Sequence, residues 1–282
     1  MSILLLKLFS HAPSPAASFA LAYAIICMRF AGRAGGAYII ERQARKMLLY
    51  IIRHGDPIYN PDSLTPKGHR QAEAVGRRLA ARHFDRIYSS PLIRAQQTAQ
   101  PLCEMNNTQP VIEDWASENE AWKTLSTLMP DGRRTWVFYS APRESFMTPE
   151  SLTVGDKWHT LPQFEGMECE KGFRRIQDAS DEFIARQGYV REGLVYKAVR
   201  PNDERVAMFC HQGFGLTWIS HLLNIPPHIM WNAFDITHTG VTIIEWRNNE
   251  RGIVVPQCLT LSDTGHIYGE NLPMRYNNRL EI

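Results

Sequence analysis

The sequence predicts an α/β fold, a three-layer αβα sandwich with a mostly parallel central sheet and an inserted cap region. Two observations predict it. Short apolar runs rich in β-forming residues alternate along the chain with longer segments of helical apolar spacing, an alternation typical of parallel sheets covered by helices. An irregular stretch rich in Trp, Pro and Gly, at about 119–200, interrupts this pattern and predicts the inserted cap over one edge of the sheet.

The first ordered part begins with MLLYIIR (47–53), whose continuous apolar character predicts a strand covered on both faces. The following segment, 65–83, has apolar residues at helical spacing, and Thr65 followed by Pro66 predicts its cap and first turn. The remaining predicted elements of this part are a short strand FDRIYSS (84–90), a helix opened by Pro91 over LIRAQQTAQPLCEM (92–105), and a weaker strand PVIEDW (110–115).

Within the irregular stretch, helical character is predicted at about Glu118–Met129 and Gly172–Gln187. The regular alternation resumes with the predicted apolar strand VAMFC (206–210). This strand ends at His211 and is followed by a predicted helix. The run GVTIIEW (240–246) reads as a further strand, and a hairpin-like tail closes the chain.

Bulk composition disfavours several classes of protein. The 282 residues carry a formal net charge of +2, which gives no reason to expect nucleic acid or a membrane as partner. The five cysteines are scattered without a CxxC pair, which disfavours a zinc cluster or a disulfide framework. A reducing compartment fits this usage, and we expect a cytoplasmic location.

The N-terminal residues differ from the rest of the chain. No acidic residue occurs before Glu41, and the apolar stretch FALAYAIICM (19–28) is shorter than the about 20 residues needed to span a bilayer. We predict that 1–46 is an N-terminal extension, disordered or non-native, with a targeting segment as the alternative. Residues 47–282 would then form one domain, with the cap insertion at about 119–200.

Two predicted strands end in the same way, on a histidine followed closely by glycine. His54 follows the first strand and His211 follows the later one. Ligands of open α/β sheets bind at the carboxyl ends of strands, so both imidazoles are expected at one crevice. Arg53 and Arg94, predicted at the same edge, would add two guanidinium groups suited to a tetrahedral oxyanion. We expect a phosphoryl group as the guest.

These residues also carry a family resemblance. The RHG after an apolar strand, LTPKGHRQA (64–72), YSSPLIRAQQTA (88–99) and the late CHQG (210–213) resemble the histidine phosphatase superfamily, which includes the phosphoglycerate mutases. The likeness runs from about Met47 to Trp246 and is interrupted by the variable middle. It implies a small phosphorylated substrate and a reaction that needs no metal or cofactor, and it leaves a homodimer open.

The resemblance implies a role for each matching residue. His54 would be the nucleophile that becomes phosphorylated, Arg53 and Arg94 would clamp the phosphoryl oxygens, and His211 would complete the pocket. Asn60 matches a pocket residue often found after RHG.

The acid that protonates the leaving oxygen would be Glu118, with Glu120 as the second choice. Pro57 stands where family members often have Thr, so a hydroxyl contact is expected to be missing. Gly55 and Gly213 would let the backbone approach the phosphate closely. His238 could line the pocket, but a packed or partly exposed histidine is the favoured interpretation.

Three functions compete at this stage. A phosphomonoester hydrolase is favoured over a mutase, because only PDSL (61–64) separates Asn60 from Thr65 and family mutases carry a longer segment there. A non-catalytic phosphate-binding module is the second hypothesis, to be distinguished by the presence of the acid. A metal-dependent hydrolase is the third and poorest, because two histidines with few acids fall short of a two-metal site.

Overall fold

The structure, a computed structural model, describes residues 44–274. The predicted N-terminal extension therefore lies outside the described residues, apart from 44–46. A six-stranded sheet forms the centre of the described chain. Its strands, in spatial order, are β13 (Gln257–Asp263), β11 (Val241–Arg247), β1 (Lys46–Arg53), β10 (Arg205–Cys210), β4 (Arg86–Ser89) and β5 (Val111–Ile112).

The sheet is mostly parallel, as predicted. Strand β1 runs parallel to β10, β10 to β4, and β4 to β5, whereas β11 and β13 continue the sheet antiparallel on the other side of β1. Antiparallel neighbours reverse direction, so the start of β11 lies at the same edge of the sheet as the end of β1. This reversal brings the loop before β11 to the carboxyl edge of the parallel strands.

Helices cover both faces of the sheet. The α-helices, in chain order, are α1 (Pro66–Ala80), α2 (Ile93–Met105), α3 (Glu118–Thr124), α4 (Pro149–Thr153), α5 (Cys169–Arg186), α6 (Gln212–Leu223), α7 (Pro227–Ala233) and α8 (Gly265–Gly269). No helix among residues 44–274 is long and apolar enough to cross a membrane.

Strand β1 shows why the sheet needs two helical layers. Ile51 packs into a core with α5 and α6, whereas the next residue, Ile52, packs into a second core with Val75 of α1 and Leu102 of α2. Successive strand residues point to opposite faces, so an uninterrupted apolar run must be covered on both. The three-layer αβα sandwich predicted from this run is confirmed.

The irregular stretch is built from short elements around aromatic side chains. The predicted helix from Glu118 ends at Thr124, earlier than expected, because Ser126 pairs with Trp136 in a hairpin instead. The smaller strands are β2 (Pro57–Tyr59), β3 (Asp62–Leu64), β6 (Ser126–Leu128), β7 (Arg134–Trp136), β8 (Tyr189–Glu192), β9 (Val195–Ala198) and β12 (Ile253–Val254). Short 3-10 turns occupy Asp114–Ala116, Val137–Tyr139, Arg143–Phe146, Gly155–Thr160 and Pro162–Phe164.

Candidate active site

The two predicted histidines meet because their strands are neighbours. Arg53 of β1 is in register with Cys210 of β10, so the next residue of each parallel strand emerges at the same point of the edge. The ring centroids of His54 and His211 lie 5.1 Å apart. Both side chains are buried. The sequence pattern thus predicted a juxtaposition that the structure contains.

The hydrogen bond of His54 determines which ring nitrogen can attack. Its Nδ1 lies 2.7 Å from the carbonyl oxygen of Gly55. Since a carbonyl oxygen only accepts, Nδ1 carries the hydrogen and Nε2 keeps its lone pair. Burial first, then the positive charges of Arg53 and Arg94, hold the pKa of His54 well below its ordinary value of 6.5. His54 is therefore a neutral imidazole whose Nε2 lone pair is available.

The two arginines are held from different elements. Arg53, the last residue of β1, donates to the carbonyl oxygen of Ile236 at 2.8 Å, and burial lowers its pKa. Arg94 lies in the first turn of α2 and donates to Asp62 at 2.6 Å. Among the described residues the Nε of Arg94 has no hydrogen-bond partner. Both guanidinium groups are buried, an arrangement suited to an anion rather than to solvent.

Sequence reasoning missed Asp62. Its carboxylate accepts from Arg94 through Oδ1 and from the backbone N–H of Ile93 through Oδ2, at 2.6 and 2.7 Å. It therefore fixes the start of α2 and the guanidinium together. The available signal was an Asp two residues before LTPKG, because a carboxylate near a predicted phosphate clamp can orient the arginine.

His211 completes the floor of the crevice. Its Nε2 lies 2.7 Å from the hydroxyl oxygen of Ser90, and its Nδ1 has no hydrogen-bond partner within residues 44–274. Burial and then the neighbouring His54, Arg94 and Arg53 lower its pKa well below 6.5. Ser90, the second serine of the YSSP motif, is a support that the sequence analysis did not single out.

Glu118 lies beside the start of α6, close enough to Arg94 and Arg53 for their charges to act on its carboxyl group. Its two carboxylate oxygens accept from the backbone N–H groups of Gly213 and Phe214, at 3.1 and 2.9 Å, in the first turn of α6. Burial raises its pKa above the ordinary 4.5, against the opposing effects of these two bonds and of Arg94 and Arg53. A raised carboxyl pKa is what general-acid chemistry near neutral pH needs.

The second candidate acid lies elsewhere. Glu120 is exposed and pairs with Lys123 at 2.6 Å, and this bond lowers its pKa. A carboxylate held ionised by a surface lysine cannot supply a proton as readily as Glu118. The geometry therefore favours Glu118 over Glu120, and its role as the acid stays a prediction.

The surroundings of Asn60 and of the two glycines differ from those that the sequence predicted. Asn60 is exposed between β2 and β3 and forms no hydrogen bond with another described residue, so no contact here supports its predicted place in the pocket. A Cβ added to Gly55 would lie 2.7 Å from the carbonyl oxygen of Gly68, and one added to Gly213 would lie 2.7 Å from the ring of Trp136. The close contacts that require glycine are thus a helix backbone and an indole ring of the protein itself.

A third histidine lies against His54. His238, in the loop before β11, has its ring centroid 5.6 Å from that of His54, and its Nδ1 lies 3.6 Å from Asp56 Oδ1. It is partly exposed, as predicted, but it also belongs to the crevice. Within residues 44–274, no three His, Cys, Asp or Glu side chains are grouped so that they could hold a metal ion.

Comparison with known proteins gives the class to which this fold and site belong. The family model of the histidine phosphatase superfamily, branch 1, matches residues 49–128 and 160–258. The chain therefore belongs to the histidine phosphatase superfamily, whose general mechanism passes a phosphoryl group through a phosphohistidine. This confirms the resemblance carried by the RHG and later motifs. Its activity is that of a phosphatase or a mutase-like phosphotransferase.

Individual relatives agree with this membership. A protein assigned as phosphoserine phosphatase 2 in Hydrogenobacter thermophilus is 32% identical over 187 residues, covering 62% of this chain and 85% of the relative. A broad-specificity phosphatase of Saccharomyces cerevisiae is 27% identical over 218 residues, covering 73% and 83%. The solved structure of a mycobacterial glucosyl-3-phosphoglycerate phosphatase shares the fold, with a TM-score of 0.52, 18% identity, and coverage of 79% of this chain and 100% of that chain.

Proposed function

We propose that this protein is a phosphomonoester hydrolase that works through a phosphohistidine on His54, without a metal or other cofactor. The observation that carries the proposal is the state of His54, a buried neutral imidazole whose Nδ1 donates to Gly55 and whose Nε2 keeps its lone pair. Two buried arginines accompany it. Phosphoryl transfer depends chiefly on positioning and on stabilising charge over the equatorial oxygens, which is what these groups offer.

In the first half-reaction, the Nε2 lone pair attacks phosphorus and the bond between phosphorus and the leaving oxygen breaks. Glu118, whose pKa is raised by burial, gives its proton to that oxygen so that an alcohol departs. Arg53, Arg94 and His211 donate hydrogen bonds to the three remaining phosphoryl oxygens. The half-reaction leaves a phosphohistidine and an ionised Glu118.

In the second half-reaction, a water molecule attacks the phosphoryl group. Glu118, now a carboxylate, takes a proton from the water, and the bond between phosphorus and Nε2 breaks. Phosphate leaves and His54 returns to its neutral form, while Glu118 regains its proton. Splitting hydrolysis in this way is covalent catalysis, and one carboxyl group serves as acid and then as base.

Hydrolysis is favoured over mutase chemistry by the short connection after RHG. Strands β2 and β3 form a small hairpin between Pro57 and Leu64, in place of the longer segment that family mutases carry there. The proposed substrate class is a small phosphorylated metabolite, since the relatives include phosphatases named for phosphoserine and for broad specificity. The predicted cap at about 119–200 would cover it, and the family model leaves 129–159 of that stretch unmatched.

The decisive experiment traps the covalent intermediate. Wild-type enzyme is mixed rapidly with p-nitrophenyl phosphate, quenched in alkali to preserve phosphohistidine, digested and mapped by mass spectrometry. We expect one phosphoryl group on His54. His54→Asn should lose turnover by at least about a thousandfold, whereas the matched variant His228→Asn, at a buried histidine bonded to Ser151, should retain it.

The acid is tested through the leaving group. Glu118→Gln should slow phosphorylation about a hundredfold with an alkyl phosphate but far less with p-nitrophenyl phosphate, whose leaving group needs no proton. Release of inorganic phosphate without added 2,3-bisphosphoglycerate, and in the presence of EDTA, is expected. A phosphoryl group on another residue, or a strict need for the bisphosphate primer, would overturn the proposal.

A further inference from the structure

Thr239 adopts a backbone conformation that a β-branched residue seldom takes. Its φ is +54°, in the left-handed region, and its side chain is fully buried. Such a conformation is a true outlier for a branched side chain and persists only where the surrounding structure holds it. Hydrogen bonds on both sides of Thr239 stabilise this conformation and connect it to the backbone of the predicted site residues.

The left-handed turn directs the backbone of Thr239 towards the nucleophile. The regular pairing of β1 with β11 ends at Ile52 and Val241. Beyond it, the N–H of Thr239 turns back to the carbonyl oxygens of Arg53 and His54, at 3.0 and 3.3 Å. One donor is thus shared by the carbonyl oxygens of two predicted site residues. The same turn carries the ring of His238, which lies against His54.

A hydrogen-bond chain reaches Thr239 from the other side. Arg78 of α1 lies 3.3 Å from Nδ1 of His266, and Nε2 of His266 lies 2.9 Å from the hydroxyl oxygen of Thr239. That hydroxyl donates to the carbonyl oxygen of His238 at 2.7 Å. Asp263 fixes the arginine through two bonds of 2.9 and 2.7 Å.

The direction of every bond in this chain is determined. Arginine only donates, so Nδ1 of His266 accepts and its Nε2 carries the hydrogen. The single hydrogen of the Thr239 hydroxyl goes to the His238 carbonyl, so the hydroxyl must accept from His266. Burial, and then Arg78, lower the pKa of His266 to about 4, so the neutral tautomer that this chain requires is present at neutral pH. No other assignment of donors and acceptors satisfies all three hydrogen bonds.

We propose that Thr239 and His266 are positioning residues of the reaction at His54, an inference that rests on the proposed function. Thr239 fixes the backbone of Arg53 and His54 and keeps His238 against the nucleophile, and His266 fixes Thr239. Helix α8, which contains His266, follows the last residue that the family model matches. The active site thus depends on a part of the chain outside the motifs that define the family.

The variant Thr239→Gly distinguishes a role of Thr239 in positioning the site from a role in the stability of the fold. Thr239→Gly keeps the N–H and accepts a positive φ without strain. This relief offsets part of the stability lost with the buried hydroxyl and with the greater freedom of the unfolded chain, so we expect only a small fall in melting temperature. The variant loses the hydroxyl, so we expect the single-turnover rate of phosphohistidine formation to fall about tenfold with KM nearly unchanged. Thr239→Ser keeps the hydroxyl and should restore the rate. Asn107→Gly, at an exposed residue with φ +52°, is the matched control and should not alter the rate.

The histidine is tested by a conservative and a disruptive replacement. His266→Gln places an amide N–H near the position of Nε2 and should retain most of the rate, whereas His266→Phe should lower it about tenfold, like Thr239→Gly. Wild-type rates in both Thr239→Gly and His266→Phe would overturn the inference while leaving the proposed function intact. Absence of label on His54 in the wild-type enzyme would overturn both.

Discussion

Two polar regions of this protein, one buried and one partly exposed, contain the same types of side chain in different arrangements. The crevice at the carboxyl edge of the sheet contains His54, His211 and two arginines. The second region, here called the Asp181 cluster, consists of Asp181, Arg191 and His221 with Gln177, and it joins α5, α6 and β8. Each region holds arginine and histidine out of solvent.

The regions differ in how charge is balanced. In the Asp181 cluster one carboxylate oxygen accepts from Arg191 at 2.9 Å and from His221 at 2.8 Å, and Gln177 meets the other imidazole nitrogen at 3.1 Å. In the crevice Arg94 pairs with Asp62, but both arginines still lower the pKa of the two imidazoles, and Nδ1 of His211 has no partner in the described part of the chain. A satisfied cluster stabilises a fold, whereas clustered positive charge costs stability unless an anion binds.

The largest expected effect comes from replacing Arg94, one of the two arginines of the crevice. Arg94→Met keeps most of the side-chain volume and removes the charge, so kcat/KM for a phosphomonoester should fall by about a hundredfold or more. Because Arg94 helps to depress the pKa of His54, the acid limb of the pH profile should also move upwards. Steady-state kinetics over a pH series measure both. Unchanged kinetics would mean that Arg94 does not face the phosphoryl group.

The same replacement in the Asp181 cluster should have the opposite outcome. Arg191→Met leaves Asp181 without its arginine, and we expect the free energy of unfolding to fall by about 2 kcal/mol, less than for a fully buried pair because Asp181 is about a third exposed. Activity per folded molecule should be preserved. Urea titration and kcat measurement decide the matter, and a loss of kcat without loss of stability would contradict the division into two kinds of region.

The pH dependence of the rate sharpens the description of the crevice. The proposed reaction needs a neutral His54, whose pKa lies below 6.5, and a protonated Glu118, whose pKa lies above 4.5. The value of kcat/KM should therefore be bell-shaped with its optimum between the two pKa values, and should fall about tenfold per pH unit on each limb. Glu118→Gln should remove the alkaline limb. A limb that persists in this variant would assign it to another group.

A smaller effect concerns stability at mildly acidic pH. The pKa of His266 is about 4 in the folded chain against 6.5 ordinarily, so below pH 6.5 the unfolded chain binds a proton that the folded chain does not. This contribution to stability is complete above pH 6.5 and is lost as the pH falls from 6.5 towards 4. Between about pH 7 and pH 5, wild type should lose about 2 kcal/mol more than His266→Phe, as measured by denaturant unfolding. Parallel curves for the two proteins would refute the assignment.

Sequence patterns were sufficient wherever function follows from strand direction. An apolar run that breaks into Arg53 and His54, and a second that breaks into His211, can only present these residues at the carboxyl edge of a parallel sheet. The helix caps and buried strands follow from local chemistry in the same way, as the bond from the Gly68 N–H to the Thr65 hydroxyl shows. The three-layer fold and the pairing of the two imidazoles were therefore predictable.

Other features depended on long-range pairing that no local pattern encodes. His238 reaches the crevice because β11 runs antiparallel to β1, and His266 reaches Thr239 only after α8 has packed near α1. The early end of the helix after Glu118 likewise reflects a pairing, that of Ser126 with Trp136, which overrides local helical preference. Propensity and spacing describe segments, and these contacts join segments that are distant in sequence.

The neighbouring parallel strands β1 and β10 have a consequence for how activity is acquired. They come from opposite halves of the sequence, so the imidazole pair does not exist until a large chain loop has closed. Contacts of this kind form slowly during refolding, which makes recovery of catalysis a direct reporter of long-range sheet assembly. Helical content measured by circular dichroism would return earlier, since helices need only local contacts, and the delay between the two signals would time the closure of the sheet.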